Sequence, residues 1–306
     1  MSGLGGSHDH SARSATYRPR LLLVLLITLA VVALQTAAGW LSGSLALLAD
    51  AGHALTDATG LGLALGASWL AGRPPTPERT FGMQRAEVLA ALANVVLLTI
   101  VAGWIIVEAV SRWSDPPSVE TSLMIGAAVV GAAANLVCLL LLRSGRDANL
   151  NVRGAYLEVL GDLLGSLAVV IAGVVLAVTD FSRADVIASL VIAAMIMPRV
   201  WRLLRDVLDV LLEATPSGVD LGHVRDHICD IPGVVDVHDL HAWTITSGMP
   251  VLSAHVVVED RWMAAGRSGE VLDALGECLS GHFDVEHCTF QVEPVGHQAH
   301  ESRHHA

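Results

Sequence analysis

The sequence predicts a polytopic membrane fold, an all-α domain of six transmembrane helices followed by a small α+β cytoplasmic C-terminal domain. Three observations predict it. Hydrophobic residues make up 53% of the 306-residue chain and the mean hydropathy is +0.57, too apolar for an ordinary soluble protein. Apolar runs near the ~20 residues that a bilayer requires recur up to about Leu204. After Pro216 the pattern changes to short strands and amphipathic helices.

The first run, Leu21 to Leu41, follows Arg13, Arg18 and Arg20 and is too long for a signal-peptide core. The second, from about Leu45 to Leu70, comes after almost no loop. A polar segment, AGRPPTPERTFGMQR, leads to a third span from about Ala86 to Trp113, and further spans follow over Leu123 to Leu142, Ala155 to Val178 and Ala184 to Leu204. An even number of spans leaves both termini on one side. Arginines cluster in the N-terminus, in the loop with Arg73, Arg79 and Arg85, in the loop with Arg143, Arg146 and Arg153, and around Arg199, Arg202 and Arg205. The alternate connections are short or acidic, as at Asp115 and Glu120, so the positive-inside rule places both termini in the cytoplasm and the chain in the inner membrane. Arg112 and Arg183 are minor exceptions.

The C-terminal region reads as a helix near Leu221 to Asp230, a turn at Pro232-Gly233 and a strand from Val234 to Ile245. A turn at Ser247 to Pro250 leads to a strand from Val251 to Glu259, then a helix near Ser268 to Ser280 and a last strand from Val285 to Glu293. This αββαβ order implies a small two-layer α+β domain of ferredoxin-like type. The expected division is a polar tail over 1–19, the six-helix domain over 20–213, a cytoplasmic metal-binding regulatory domain over 214–295 and a His-rich tail over 296–306.

Chemistry concentrates in two spans. The second carries Asp50, His53 and Asp57, and offsets of three and seven put them within roughly 60° of one another on a helix at about 100° per residue. The fifth carries Glu158 and Asp162 on adjacent turns. Ionisable groups inside a membrane are costly enough to mark a functional site. Facing one another, His53, Asp57, Glu158 and Asp162 would offer an imidazole and three carboxylates to one divalent cation. A polar network that pins two helices is the alternative. Three carboxylates with no basic residue in either span would repel unless protonated or metal-bound, which favours the cation site. Asp50 is placed as a carboxylate behind the ligands. Glu108 is more weakly placed, and Asp185 is expected near a helix N-terminus, where a carboxylate is favoured.

In the C-terminal domain VVDVHDLHAWTI and VLSAHVVVED place His238, Asp239, His241 and His255 on neighbouring strands. His238 and His241 are an odd offset apart, so a regular strand points them to opposite faces and one site holds both only if the strand bulges. His282, Glu286 and His287 lie near the last strand and complete the candidates for accessory metal sites; a structural role for each lone His is the alternative. Further His lie in SHDH at the start and HQAHESRHH at the end.

Several classes are excluded or weakened. The formal charge of −12, with no Lys among the 18 basic residues, argues against nucleic acid as a partner. The four Cys form no CxxC pair, so neither a zinc ribbon nor a disulfide framework is indicated. No HExxH, GxSxG or phosphate-binding glycine loop is present, so no enzyme and no catalytic cofactor are expected.

With these residues in view, the chain resembles the cation diffusion facilitator family, in its bacterial zinc-exporting branch. GSLALLADAGHALTD, TFGMQRAEVLAALAN, RGAYLEVLGDLLGS, DVLLEATP and VHDLHAWTI look like that family's motifs in its order, and the resemblance spans nearly the whole chain. It implies a six-helix homodimer with a metallochaperone-like cytoplasmic domain. It also implies export of a divalent metal in exchange for protons, with Zn2+ or another divalent cation as substrate and regulator. His53, Asp57 and Asp162 fall on the transport-site positions, and the fourth falls on Glu158 where the zinc branch usually has His. A carboxylate in place of imidazole implies a shifted selectivity among zinc, cobalt, cadmium, iron and manganese. A membrane-bound metal sensor that binds without transport is the competing expectation. A long His-rich loop is absent between the fourth and fifth spans, joined by RSGRDANLNVRG.

Overall fold

The structure is a computed structural model, and it describes residues 8–143, 150–246, 248–283, 285 and 287–297. Six long helices come first: α1 (His8–Ser42), α2 (Leu45–Ala71), α3 (Ala86–Ser111), α4 (Thr121–Leu142), α5 (Leu150–Thr179) and α6 (Arg183–Leu211). Five of them contain stretches long and apolar enough to cross a membrane. The exception is α2, 27 residues long, whose apolar character is diluted by Asp50, His53 and Asp57. The expected six-helix architecture is present, and α1 extends back to His8, into the segment expected as a polar tail.

The chain divides into two compact units, Met1–Gly66 with Ala90–Leu203, and Ala67–Leu89 with Leu204–Ala306. In the first, α1, α4 and α5 pack through Val24, Cys138, Leu139, Leu142, Val152 and Val159. Leu26, Ile100, Val107, Leu140 and Ile171 are exposed on the helices, the arrangement expected where lipid tails are the solvent. Small residues let polar contacts form between helices. A Cβ on Gly165 would lie 2.3 Å from Asp50 Oδ1, and one on Gly131 would lie 2.4 Å from Gln35 Nε2.

The two exceptional arginines of the short connections are satisfied locally. Arg112 donates to Glu108 at 2.8 Å and to the Gly43 carbonyl at 2.8 Å. Arg183 donates to the Trp113 carbonyl at 3.0 Å. Glu108 therefore belongs to an ion pair one helical turn long. Asp185 lies in the first turn of α6 as expected, but its carboxylate caps a different helix, α2.

In the second unit the C-terminal domain has the predicted order with one short helix added: α7 (Leu221–Cys229), β1 (Val234–Thr244), β2 (Pro250–Val258), α8 (Asp260–Ala264), α9 (Ser268–Phe283) and β3 (His287–Pro294). Asp220 starts α7 by accepting the amides of Gly222 at 2.8 Å and His223 at 3.3 Å, the N-cap role that suits a short acidic side chain. The turn before β1 needs Gly233, at φ 93° and with the Trp262 ring where a Cβ would stand. Strands run in the order β1-β2-β3, β1 antiparallel and β3 parallel to β2. Leu252, Ala254, Val256 and Val258 of β2 bury against Val224 and Ile228 of α7 and Val271, Leu275 and Leu279 of α9. Because side chains alternate along a strand, Ser253 and His255 stand on the opposite face. In the same unit Arg85 pairs with Glu213 at 3.5 Å, and Glu87 accepts the Thr246 hydroxyl at 2.9 Å.

Candidate metal centre

In the membrane-spanning unit, one ligand-type atom from each of His53, Asp57 and Asp162 lies within 4.8 Å of the others. Helix periodicity brings His53 and Asp57 to one face of α2, with His53 Nε2 3.8 Å from Asp57 Oδ2. Asp162 comes from α5 and is 5% exposed. Three atoms of this group, His53 Nδ1, Asp57 Oδ1 and Asp162 Oδ1, are buried and have no hydrogen-bond partner. Such atoms are rare in a folded interior, and together they are the donor set a divalent cation satisfies.

Glu158 is placed differently from its neighbours. It is not among the three clustered residues; its Oε1 accepts from an Arg199 guanidinium nitrogen at 2.9 Å, and the same guanidinium donates to Asp57 Oδ2 at 2.7 Å. Apart from Arg153 near the start of α5, neither helix of the site carries an Arg or Lys, but α6 supplies one. Arg199 escaped sequence reasoning because Arg202 and Arg205 follow it and the three together mark a cytoplasmic boundary. The only local signal was its position one residue after Pro198, well inside a helix.

Asp50 precedes His53 by three residues on α2. It accepts from Gln35 of α1 at 2.8 Å and from the Ser166 hydroxyl of α5 at 2.7 Å, and it is 2% exposed. This network ties three helices together on the side of α2 that carries the ligands.

The C-terminal domain holds a second cluster, His238, His255 and Glu293. His238 and His255 face each other across the β1–β2 pairing, with ring centroids 5.1 Å apart. Glu293 Oε1 lies 2.9 Å from His255 Nδ1, and Glu293 Oε2 lies 3.3 Å from His238 Nε2. The strand does bulge between His238 and His241, with Asp239 at φ 50°. His241 is nevertheless not among the three clustered residues. His241 turns to Asp239, 2.9 Å away, while Asp239 Oδ2 lies 3.7 Å from His255. Glu293 was missed in the sequence because its meeting with β1 and β2 depends on the parallel pairing of β3, where Gln291 lies opposite His255 and Glu293 two residues further on. An acid beside Val292 in the last strand was the available signal. His287 is exposed and meets the Phe81 ring edge-on at 6.1 Å. His282 belongs to α9, its side chain outside the described residues, and Glu286 and the tail histidines after His297 also lie outside them.

Comparison with known proteins bears on both halves of the chain. Residues 21–212 match the family model of the cation efflux transmembrane domain, and residues 216–295 match that of the cation efflux protein cytoplasmic domain. The chain belongs to the cation efflux family. Relatives of this cation efflux protein include the metal cation efflux system protein CzcD of Cupriavidus metallidurans, 40% identical over 95% of this chain and 90% of that protein. The zinc transporter ZitB of Escherichia coli is 38% identical over 94% of this chain and 92% of its own length. The cadmium, cobalt and zinc/H(+)-K(+) antiporter of Bacillus subtilis is 34% identical over 96% of this chain and 93% of its own length. As a cation efflux protein the chain is a membrane transporter and not an enzyme, with a cytoplasmic C-terminal domain of the dimerising type, and so a homodimer.

Proposed function

We propose that this cation efflux protein exports zinc from the cytoplasm in exchange for protons, with cobalt and cadmium as further cargo, and that His53, Asp57 and Asp162 bind the ion in transit. The observation that carries the reading is the coincidence of three buried, partnerless donor atoms with a cluster tight enough for one ion. One nitrogen and two oxygen donors suit a borderline ion such as zinc. The names of the relatives point the same way, one for zinc and one for cadmium, cobalt and zinc.

Ligands must be deprotonated to bind metal, so protons and metal compete for the same side chains and the competition couples the two fluxes. Open to the cytoplasm, the site loads metal and gives up protons; open outward, it takes protons and releases metal, as the helices alternate between two arrangements. Moving a divalent ion outward against about 100 mV costs roughly 4.6 kcal/mol, and one returning proton offsets about half of that. Two protons make the cycle electroneutral. The cluster of His238, His255 and Glu293 is read as a cytoplasmic metal site that adjusts transport to supply.

The test is metal uptake into proteoliposomes under an imposed pH gradient, with zinc, cobalt, cadmium, manganese and iron(II) in parallel. Proton-coupled zinc flux that Asp162→Ala abolishes is expected. Tight binding with no flux of any of these ions overturns the exporter reading in favour of a metal sensor.

A further inference from the structure

Arg199 is placed where a cation binder should not need an arginine. Its guanidinium forks between α2 and α5, 2.7 Å from Asp57 Oδ2 and 2.9 Å from Glu158 Oε1, and planar forks of this kind are suited to holding two carboxylates at once. Asp57 is thereby shared. One of its oxygens meets Arg199 while the other, Oδ1, is buried without a partner beside His53 and Asp162.

Charge explains why such a residue belongs there. Glu158 brings a third carboxylate to a place where the pattern this sequence resembles has a neutral imidazole. With neutral His53, a divalent ion among Asp57, Glu158 and Asp162 would leave the loaded site with one net negative charge. Arg199 restores neutrality. In the absence of metal the same guanidinium neutralises part of a carboxylate cluster that would otherwise need protons or an ion to be tolerable at that depth.

Chain direction gives the fork a side. With the termini in the cytoplasm, α2 runs inward and α5 outward, so Asp57 lies one turn cytoplasmic of His53, and Glu158 one turn cytoplasmic of Asp162. The guanidinium spans that cytoplasmic edge, across the approach of an incoming ion.

We propose that Arg199 is a tethered counter-cation of the transport site, which bridges Asp57 and Glu158 in the metal-free carrier, competes with the incoming ion for Asp57, and keeps Glu158 out of the ligand set. On metal entry the guanidinium leaves Asp57 and stays with Glu158. Glu158 is then the anchor of Arg199 and not a fourth ligand. This rests on the reading of His53, Asp57 and Asp162 as the transport site.

The test uses the full-length protein in detergent micelles, with zinc alone as probe in equilibrium binding, followed by zinc flux in proteoliposomes. The relevant class of zinc sites is the one lost in Asp162→Ala; if no class is lost, the transport-site reading itself fails, whatever Arg199 does. Arg199→Gln is expected to tighten that class by about tenfold to a hundredfold, the span set by removing a charge-assisted competitor of ~1.5–3 kcal/mol. Glu158→Gln with Arg199 in place should keep the class, whereas loss of a ligand carboxylate would remove it. Arg199→Lys, which keeps the charge without the fork, should bind with intermediate affinity and covers the case in which the Gln variant fails to fold. Unchanged or weakened zinc binding in Arg199→Gln, or loss of the class in Arg199→Lys or in Glu158→Gln alone, overturns the proposal.

Discussion

Asp185, in the first turn of α6, closes on Ser44 at the start of α2: its Oδ1 accepts the Ser44 hydroxyl at 2.6 Å, and the same carboxylate accepts the amides of Leu45 at 2.7 Å and Ala46 at 3.2 Å. The first amides of a helix have no partner within it, and an anion there also meets the positive end of the helix dipole. One side chain thus fixes the origin of the helix that carries His53 and Asp57 to the helix that carries Arg199.

Asp185 is 2% exposed, so Asp185→Ala strands the Ser44 hydroxyl and two amides away from water. A loss of about 2 kcal/mol or more is expected. Thermal unfolding in detergent should show a lower midpoint for Asp185→Ala than for Ser44→Ala, which removes one of the three donors to Asp185 and the acceptor of the Leu47 amide at 3.1 Å. Equal midpoints would show that the two amide bonds to Asp185 contribute no more than the one from Leu47 to Ser44.

Gly165 faces Asp50 so closely that a methyl group would stand 2.3 Å from its carboxylate, whereas a Cβ on Gly62 would meet nothing within 4 Å. Gly165→Ala should therefore push Asp50 off Ser166 and Gln35, lowering the yield of folded protein and zinc flux together. Gly62→Ala on α2 is the control, expected to match wild type in both. A tolerated Gly165→Ala would mean that α2 and α5 separate at little cost.

Glu293 is 1% exposed and reaches both imidazoles of the C-terminal cluster. Replacing it together with its partners, as His238→Ala, His255→Ala and Glu293→Gln, should remove one zinc per chain and raise the zinc concentration for half-maximal transport, with maximal flux retained. Titration of zinc in the flux assay reads both quantities. A half-maximal concentration that stays put would dismiss regulation by this site.

Burial raises the thiols of Cys229, Cys278 and Cys288 above their ordinary range, and Cys288 Sγ also donates to the Val285 carbonyl at 3.4 Å. A raised value leaves less thiolate at a given pH, and thiolate is the reactive form. Alkylation by iodoacetamide near pH 8 should therefore be several-fold slower at these positions in folded protein than after denaturation. The linked stability is present below the unfolded thiol's value and falls as pH rises through the folded one. Rapid labelling of the folded chain at neutral pH would contradict it.

Much of this was open in the sequence because the signals were local. Apolar run length gave the six helices, arginine asymmetry gave their direction, and strand and helix periods gave αββαβ. The spacing of His53 from Asp57, and of Glu158 from Asp162, put each pair on adjacent turns of a helix. The motif resemblance named the family that both domain matches confirm.

What stayed closed depended on residues far apart in the chain. Arg199 lies 142 positions from Asp57 and 41 from Glu158, and only the packing of α6 beside α2 and α5 turns a boundary arginine into a partner of the site. Glu293 joins His238 across 55 positions because β3 enters the sheet parallel to β2, and Asp185 finds Ser44 across 141. Periodicity and composition determine which side chains share a face, since that follows from the geometry of one element. Which face meets which neighbour, and so whether a carboxylate is offered to a metal, an amide or a guanidinium, is decided by tertiary packing, because buried charges settle wherever the fold supplies an opposite one.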